Sequence, residues 1–309
     1  MSTPRSKRIK IFLAFFAIYF VWGTTYLAAL LGLESIPPFL LSALRFCTAG
    51  ALLLALCIAQ GLKFPTGKPL MLTALSGIVM LVGGSGLVTW SEQYILSGHA
   101  AVVVASEPFF FVLLDKQRWK IYFNNRNIIA GLLIGFSGIV LFVAFSTTVY
   151  KEASREFLVL GYTVLLISCL LWVAGSIFSS RRNNTGTSTI VISVIQLLSA
   201  GIFSFLLALI TNEFEGFSFS DVTARSWMGW AFLTIGGSLI AYLSFVWLLT
   251  VRTPAQVSTH TYINPVVALF MGWWIVDDPV NYQQMFAVAI ILAGVVLSNR
   301  TNHAEPSEL

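Results

Sequence analysis

Arg45 and Glu107 are ionisable side chains set inside long apolar runs, a setting in which charge needs a chemical reason. Even lenient insertion scales charge ~3 kcal/mol for an Arg at the centre of a bilayer-spanning helix. Three readings stay open. In one, Arg45 holds an anionic substrate group or Glu107 exchanges a proton as a cavity changes sides. In another, the two form a buried ion pair that locks their helices together. In the third, they snorkel toward the headgroups. Counted from the outer end of each helix, Arg45 lies ~10 Å deep and Glu107 ~15 Å deep.

Neutral polar residues accompany them. Trp22, Thr24 and Thr25, with Tyr26, share one apolar run, and Trp172 and Ser176 share another. Aromatics beside hydroxyls suit a cavity that holds an amphiphile loosely, and equally an interfacial belt. Gln196 and Asn264 at membrane depth read as substrate contacts or as hydrogen bonds between helices. His260, among Thr259, Thr261 and Tyr262, is either a proton relay or a hydrogen-bonded core residue. Pro108 and Pro265 directly follow Glu107 and Asn264, and each removes a backbone hydrogen bond, so a helix kink is expected beside both polar residues.

The elements that must position these groups follow from composition. The chain has 309 residues, 57% hydrophobic and 10% charged, with a mean hydropathy of +0.84. A soluble domain carries roughly a quarter charged residues, so a soluble enzyme, a disordered chain and a fibre are all excluded. Ten apolar stretches reach the ~20 residues needed to cross the hydrocarbon of a lipid bilayer. They run over 9–31, 38–60, 69–90, 97–119 and 127–145, then 157–179, 188–211, 226–249, 254–276 and 283–297. The fold expected is an all-α integral membrane protein of ten transmembrane helices.

Arg5, Lys7, Arg8 and Lys10 precede a first apolar run too long for a signal peptide, so it is read as a retained helix. With the N-terminus inside, fourteen of the eighteen Lys and Arg residues fall on the cytoplasmic side. Three, Lys151, Arg155 and Arg225, fall outside. Both termini are therefore expected in the cytoplasm and the chain in the plasma (inner) membrane as a multi-pass protein. This distribution also disposes of a nucleic-acid partner for a chain of net charge +5. Cys47, Cys57 and Cys169 all sit in apolar runs, so neither a disulfide framework nor a metal site is expected. No cofactor is implied.

Self-comparison divides the chain into two similar halves, 9–146 and 157–299. Val21-Trp22-Gly23 matches Leu171-Trp172-Val173, and 42–50 matches 193–201. Glu107-Pro108 matches Asn264-Pro265, and Gly138-Ile139-Val140-Leu141 matches Gly294-Val295-Val296-Leu297. The matches are collinear. Five helices per half is an odd number, so the second copy enters the membrane from the opposite side. The loop after the fourth helix carries Lys116, Arg118, Lys120 and Arg126, whereas its counterpart after the ninth carries Asp277 and Asp278. Opposite charge bias is what inverted repeats require.

Ten helices in two inverted halves, with Trp22-Gly23 in the first helix, Glu107-Pro108 in the fourth and Pro265 in the ninth, resemble the drug/metabolite transporter superfamily, EamA type. The resemblance covers nearly the whole chain. It implies a secondary transporter, often an exporter of amino acids, metabolites or amphiphilic compounds, with a central cavity between the halves. Asn264 stands where some members keep an acidic residue, which argues against a symmetric two-carboxylate mechanism.

The function expected is alternating-access export of a small amphiphilic metabolite, amino acids foremost, around a midplane cavity. Gradient-driven uptake of a similar solute and a non-transporting scaffold or lipid-handling protein are the alternatives. Nucleotide-binding and hydrolytic motifs are absent, so neither an enzyme nor an ATP-driven pump is expected. Gly131 and Gly135 form a G-x-x-x-G that serves either a homodimer or packing within the bundle.

Overall fold

The structure is a computed structural model that describes residues 4–145, 155–182, 187–252, 254–276 and 281–299. Lys151, Asp277, Asp278 and Arg300, part of the charge argument, lie outside the described residues. Within them all regular structure is helical. Seven helices are long and apolar enough to cross a membrane. They are α1 (Lys7–Gly32), α2 (Pro38–Ala59), α3 (Lys68–Ser91), α4 (Ser97–Leu114), α6 (Glu156–Arg181), α7 (Thr189–Ile210) and α8 (Ala224–Val251). Three further apolar helices, α5 (Arg126–Ala144), α9 (His260–Val276) and α10 (Tyr282–Asn299), occupy the remaining stretches. Large apolar side chains cover the outside, among them Ile210, Met228 and Trp274, each more than two-thirds exposed, as a lipid-facing surface requires.

Prolines act at helix starts and breaks. Pro38 opens α2 and Pro69 lies in the first turn of α3, where the missing N–H leaves no bond unmade. In α4 the α-helical run stops at Val104 and resumes at Glu107, next to Pro108. In α9 the helix runs through Pro265, and a break comes earlier, between the short helix Pro254–Val257 and His260. The Asn264 amide ties this helix to α1. Turned with its nitrogen toward the carbonyls, it donates to His260 O in its own helix at 2.9 Å and to Tyr19 O and Ile18 O of α1 at 3.0 and 3.1 Å. Those two α1 carbonyls belong to a π-helical segment, Ala17–Val21, whose wide turn leaves backbone acceptors for a neighbour.

Two more π-helical segments, Ile78–Gly86 in α3 and Leu233–Ala241 in α8, carry the glycines of the two halves. Gly83 and Gly84 of α3 press on Leu171 and Trp172 of α6, while Gly236 of α8 presses on Val21 of α1. Glycines also seat α2 against α7 and α5 against α10. Gly50 of α2 meets Leu198 of α7, and Gly201 of α7 meets Cys47 of α2. Gly138 of α5 meets Ile291 of α10, and Gly294 of α10 meets Gly135 of α5. As the position rises in one helix it falls in the other, so α2 and α7 are antiparallel, and so are α5 and α10. The G-x-x-x-G of α5 is thereby used inside the chain, against α10.

Polar contacts tie the two ends. On the side of the α1–α2 loop, the Glu213 carboxylate accepts from the backbone N–H groups of Phe39 and Leu40 at 3.2 and 2.8 Å, capping the start of α2. Burial holds the Glu213 carboxyl above the usual carboxylate range, and these two donors offset part of that rise. At the opposite end Asp115, just after α4, accepts from Arg181 of α6 at 3.1 Å and from the Tyr122 hydroxyl at 3.2 Å. Burial first and the nearby Asp115 second push Tyr122 up to about 12.

Candidate functional site

A cavity of about 80 Å³ lies inside the bundle, toward the end that carries the α1–α2 loop. Its wall takes in Trp22 and Thr25 of α1, Arg45 of α2, Glu107 of α4, Trp172 of α6, and His260 and Asn264 of α9. Residues spread over more than two hundred positions of chain thus meet in one space. Between the cavity and the α1 N-terminal end the interior is filled by buried Phe46, Met80, Leu197, Phe245 and Leu249. At this level the bundle is closed on one side.

The floor is aromatic. Trp22 and Trp172 meet edge to face at 5.5 Å, and each ring lies within 5.2 Å of Phe245. His260 packs 4.9 Å from Trp22, and its Nδ1 is bonded to Val257 O at 2.9 Å. This is the hydrogen-bonded core reading of His260, placed at the cavity edge. The Trp22 indole donates to Gly237 O at 3.0 Å, whereas the buried Trp172 Nε1 has no hydrogen-bond partner. Both tryptophans line the cavity.

Arg45 is 7% exposed. Its Nε donates to Ser238 Oγ of α8 at 2.8 Å and Nη1 to Ser85 Oγ of α3 at 3.4 Å, with the guanidinium 5.0 Å from the Phe46 ring. Among the described residues it makes no ion pair with Glu107; the ion pairs seen join Asp115 to Arg118 and Arg181, and Glu34 to Arg225. The acidic group that acts electrostatically on Arg45 is the buried Glu92, at the end of α3. Glu107, 4% exposed, keeps Oε2 without a hydrogen-bond partner.

Three expected residues lie off the wall. Thr24 turns back to Phe20 O at 2.9 Å. Ser176 is fully buried one turn beyond Trp172, its hydroxyl unpartnered. Gln196 anchors a separate cluster, donating to Ser76 at 2.9 Å and Ser179 at 3.2 Å and accepting from the Tyr242 hydroxyl at 2.8 Å. The wall in turn holds Ser85, Ser238, Glu92 and Tyr242, none singled out from the sequence. Both serines end a Gly-Gly-Ser present once in each half, Gly83-Gly84-Ser85 and Gly236-Gly237-Ser238, a signal that could have found them.

A cavity of aromatic walls, one guanidinium and two buried carboxyls, Glu92 and Glu107, is an arrangement for binding rather than bond chemistry, since it pairs no nucleophile with a base. Residues 9–144 and 159–300 both match the EamA-like transporter family. The chain belongs to that family. It is a multi-pass membrane protein of a transporter family and not an enzyme. It is 30% identical to the protein named uncharacterized inner membrane transporter YedA of Escherichia coli K12, over 97% of this chain and 94% of that one. Identity to the uncharacterized transporter YoaV of Bacillus subtilis is 23%, over 95% and 98% of the two chains. A solved structure titled "Crystal structure of protein" shares the fold with a TM-score of 0.71 and 22% identity, covering 93% of this chain and 95% of that one.

Proposed function

We propose that this EamA-like protein is a secondary exporter of small amphiphilic metabolites, amino acids foremost, working by alternating access. Ten spanning helices would form two inverted five-helix halves, 9–146 and 157–299, with both termini in the cytoplasm. The reciprocal antiparallel contacts of α2 with α7 and of α5 with α10 support that arrangement. The Lys and Arg distribution supports the orientation, and the printed name of YedA supports the inner membrane.

The observation that carries the reading is Arg45. A guanidinium buried in a membrane bundle, whose hydrogen bonds among the described residues go to serine hydroxyls, can exchange one of them for a ligand carboxylate, which it binds more strongly. The unpartnered Trp172 Nε1 offers a second donor, the Trp22, Trp172 and Phe245 rings offer an apolar surface, and Glu107 Oε2 is an acceptor for an amine or a proton. At about 80 Å³ the space holds several waters and is well below the ~300 Å³ at which ligand sites begin, so loading requires the halves to part.

A panel efflux screen in cells expressing the chain, repeated with the proton gradient collapsed, tests this. Growth rescue on a toxic amino acid analogue is expected, and Arg45→Gln and Glu107→Gln should each abolish it. Heightened sensitivity to the analogue would instead favour uptake of a similar solute. Normal, pH-dependent transport by both variants would remove the site. A scaffold or lipid-handling role is opposed by the buried Arg45, Glu107, Gln196 and Asn264, costly in a bundle with nothing to bind.

A further inference from the structure

Tyr242 belongs to two places at once. Its ring lines the cavity, and its hydroxyl donates to Gln196 Oε1 at 2.8 Å, on the closed side. Gln196 is the hub of that closure. Its amide reaches Ser76 of α3 and Ser179 of α6, so one side chain of α7 ties α3, α6 and α8 together. Both amide hydrogens and the carbonyl are used, which leaves the hub satisfied without water. Gly77 of α3 lies flat against the Gln196 backbone, with no room for a Cβ. The closure is thus tight in packing and complete in hydrogen bonds.

One turn of α8 joins this hub to Arg45. Ser238 takes the Arg45 Nε bond, and Tyr242 follows four residues later, on the same helical face. Ser238 also donates to Leu233 O, five residues back, across the π-helical segment Leu233–Ala241 that ends at Tyr242. A π-turn carries extra residues relative to an α-turn, so rewinding it by one residue turns everything beyond by about 100°. The Arg45 bond to Ser238 and the Trp22 indole bond to Gly237 O at 3.0 Å are side-chain ties on that segment.

We propose that Tyr242 is the positioning residue that couples the Arg45 end of the cavity to the closed side. While Arg45 holds Ser238, Tyr242 holds Gln196 and the side bearing the α1 N-terminus stays shut. When another group takes Arg45, α8 rewinds, the Tyr242 phenol leaves Gln196, and the four-helix hub comes apart. The role of the cavity as a solute site rests on the proposed function; the link from Ser238 through Tyr242 to Gln196 is testable without any solute.

The test is thiol accessibility in the full chain, with Cys47, Cys57 and Cys169 replaced by alanine and one cysteine placed by Val246→Cys. Val246 is fully buried, one turn beyond Tyr242. A membrane-impermeant maleimide is added on the side bearing the α1 N-terminus. Tyr242→Phe keeps the ring and loses one hydrogen bond, so labelling should quicken roughly fivefold to tenfold. Ser238→Ala, remote from the hub, should quicken it by a similar factor. The two together should fall short of the product of the single effects, because they act on one link.

A merely packing role for Tyr242 predicts parent-rate labelling for Tyr242→Phe, and that result overturns the proposal. So does parent-rate labelling of Ser238→Ala, or full multiplication of the two effects. Gln196→Leu, a harsher change, is the companion variant: Tyr242→Phe should add nothing in its background, and a full added effect there overturns the proposal as well. A chain that labels in the expected pattern but moves no solute contradicts the proposed function and leaves this link standing. A chain that transports while ignoring Tyr242→Phe contradicts the link alone.

Discussion

Arg45 and Gln196 occupy matching places in the two halves, each seven residues after the first residue of its helix, α2 or α7. Both are buried, yet their surroundings differ. Gln196 is enclosed by Ser76, Ser179 and Tyr242, a set that fills all of its hydrogen-bonding groups. Arg45 faces a cavity and uses two of its five N–H donors on serines. A neutral amide can be sealed in a dry cluster at little cost; a guanidinium cannot. The charged side chain stands at the cavity wall, and the neutral one in the packed cluster.

Exchanging the residue types is the strongest way to break that comparison. Gln196→Arg should cost ~3–5 kcal/mol, because an unpaired cation enters a sealed cluster, and monodisperse protein in detergent should nearly vanish. Arg45→Gln should leave yield and melting temperature close to the parent while lowering solute transport roughly 10- to 100-fold. Equal loss of folded protein in both variants would mean that the two places are not different in kind. Glycine substitutions sharpen the contrast at a smaller scale. Gly77→Ala drives a methyl into the Gln196 backbone and should destabilise by ~1–3 kcal/mol. Gly237→Ala meets side-chain atoms alone, the Arg45 guanidinium at 2.9 Å and the Thr25 methyl at 3.1 Å, so a smaller shift in melting temperature is expected, with a change in transport instead.

The smallest effect concerns the rim. The Glu213 carboxyl titrates above its ordinary range because burial disfavours its charge. A raised folded-state value means stability that is present below the ordinary carboxylate pKa and is lost as pH rises through the raised one. Melting temperature measured from acid to neutral pH should therefore fall across that window by a small amount, and Glu213→Gln should flatten this part of the profile.

Much of this was legible in residue types. Burying Arg45, Glu107, Gln196 and Asn264 in lipid without purpose is expensive, and the structure encloses all four. Gly50, Gly201, Gly138 and Gly294, all within the collinear matches, sit at contacts between helices. What periodicity did not carry was the rotation of each helix. Arg45 and Glu107 lie at depths that let them meet, but Ser85 and Ser238, short hydroxyls on glycine-rich π-helical segments, reach the guanidinium. A π-turn depends on what a neighbouring helix offers its loose carbonyls, as Asn264 does for Ile18 and Tyr19, and no local pattern encodes that. Glu92 escaped notice because it follows α3 in a short connecting turn, where acidic residues are usually solvated.

One labelling experiment addresses the central claim, that the Arg45 cavity is the solute's station and that it opens on the side of the α1–α2 loop. A single cysteine introduced by Thr89→Cys, on the cavity wall in α3, is treated with an impermeant thiol reagent from each side of the membrane in turn. The account predicts faster modification from the α1–α2 loop side, slowed by the exported solute, with the solute's protection lost in Arg45→Gln. Equal rates from the two sides, or a rate indifferent to the solute, would contradict it.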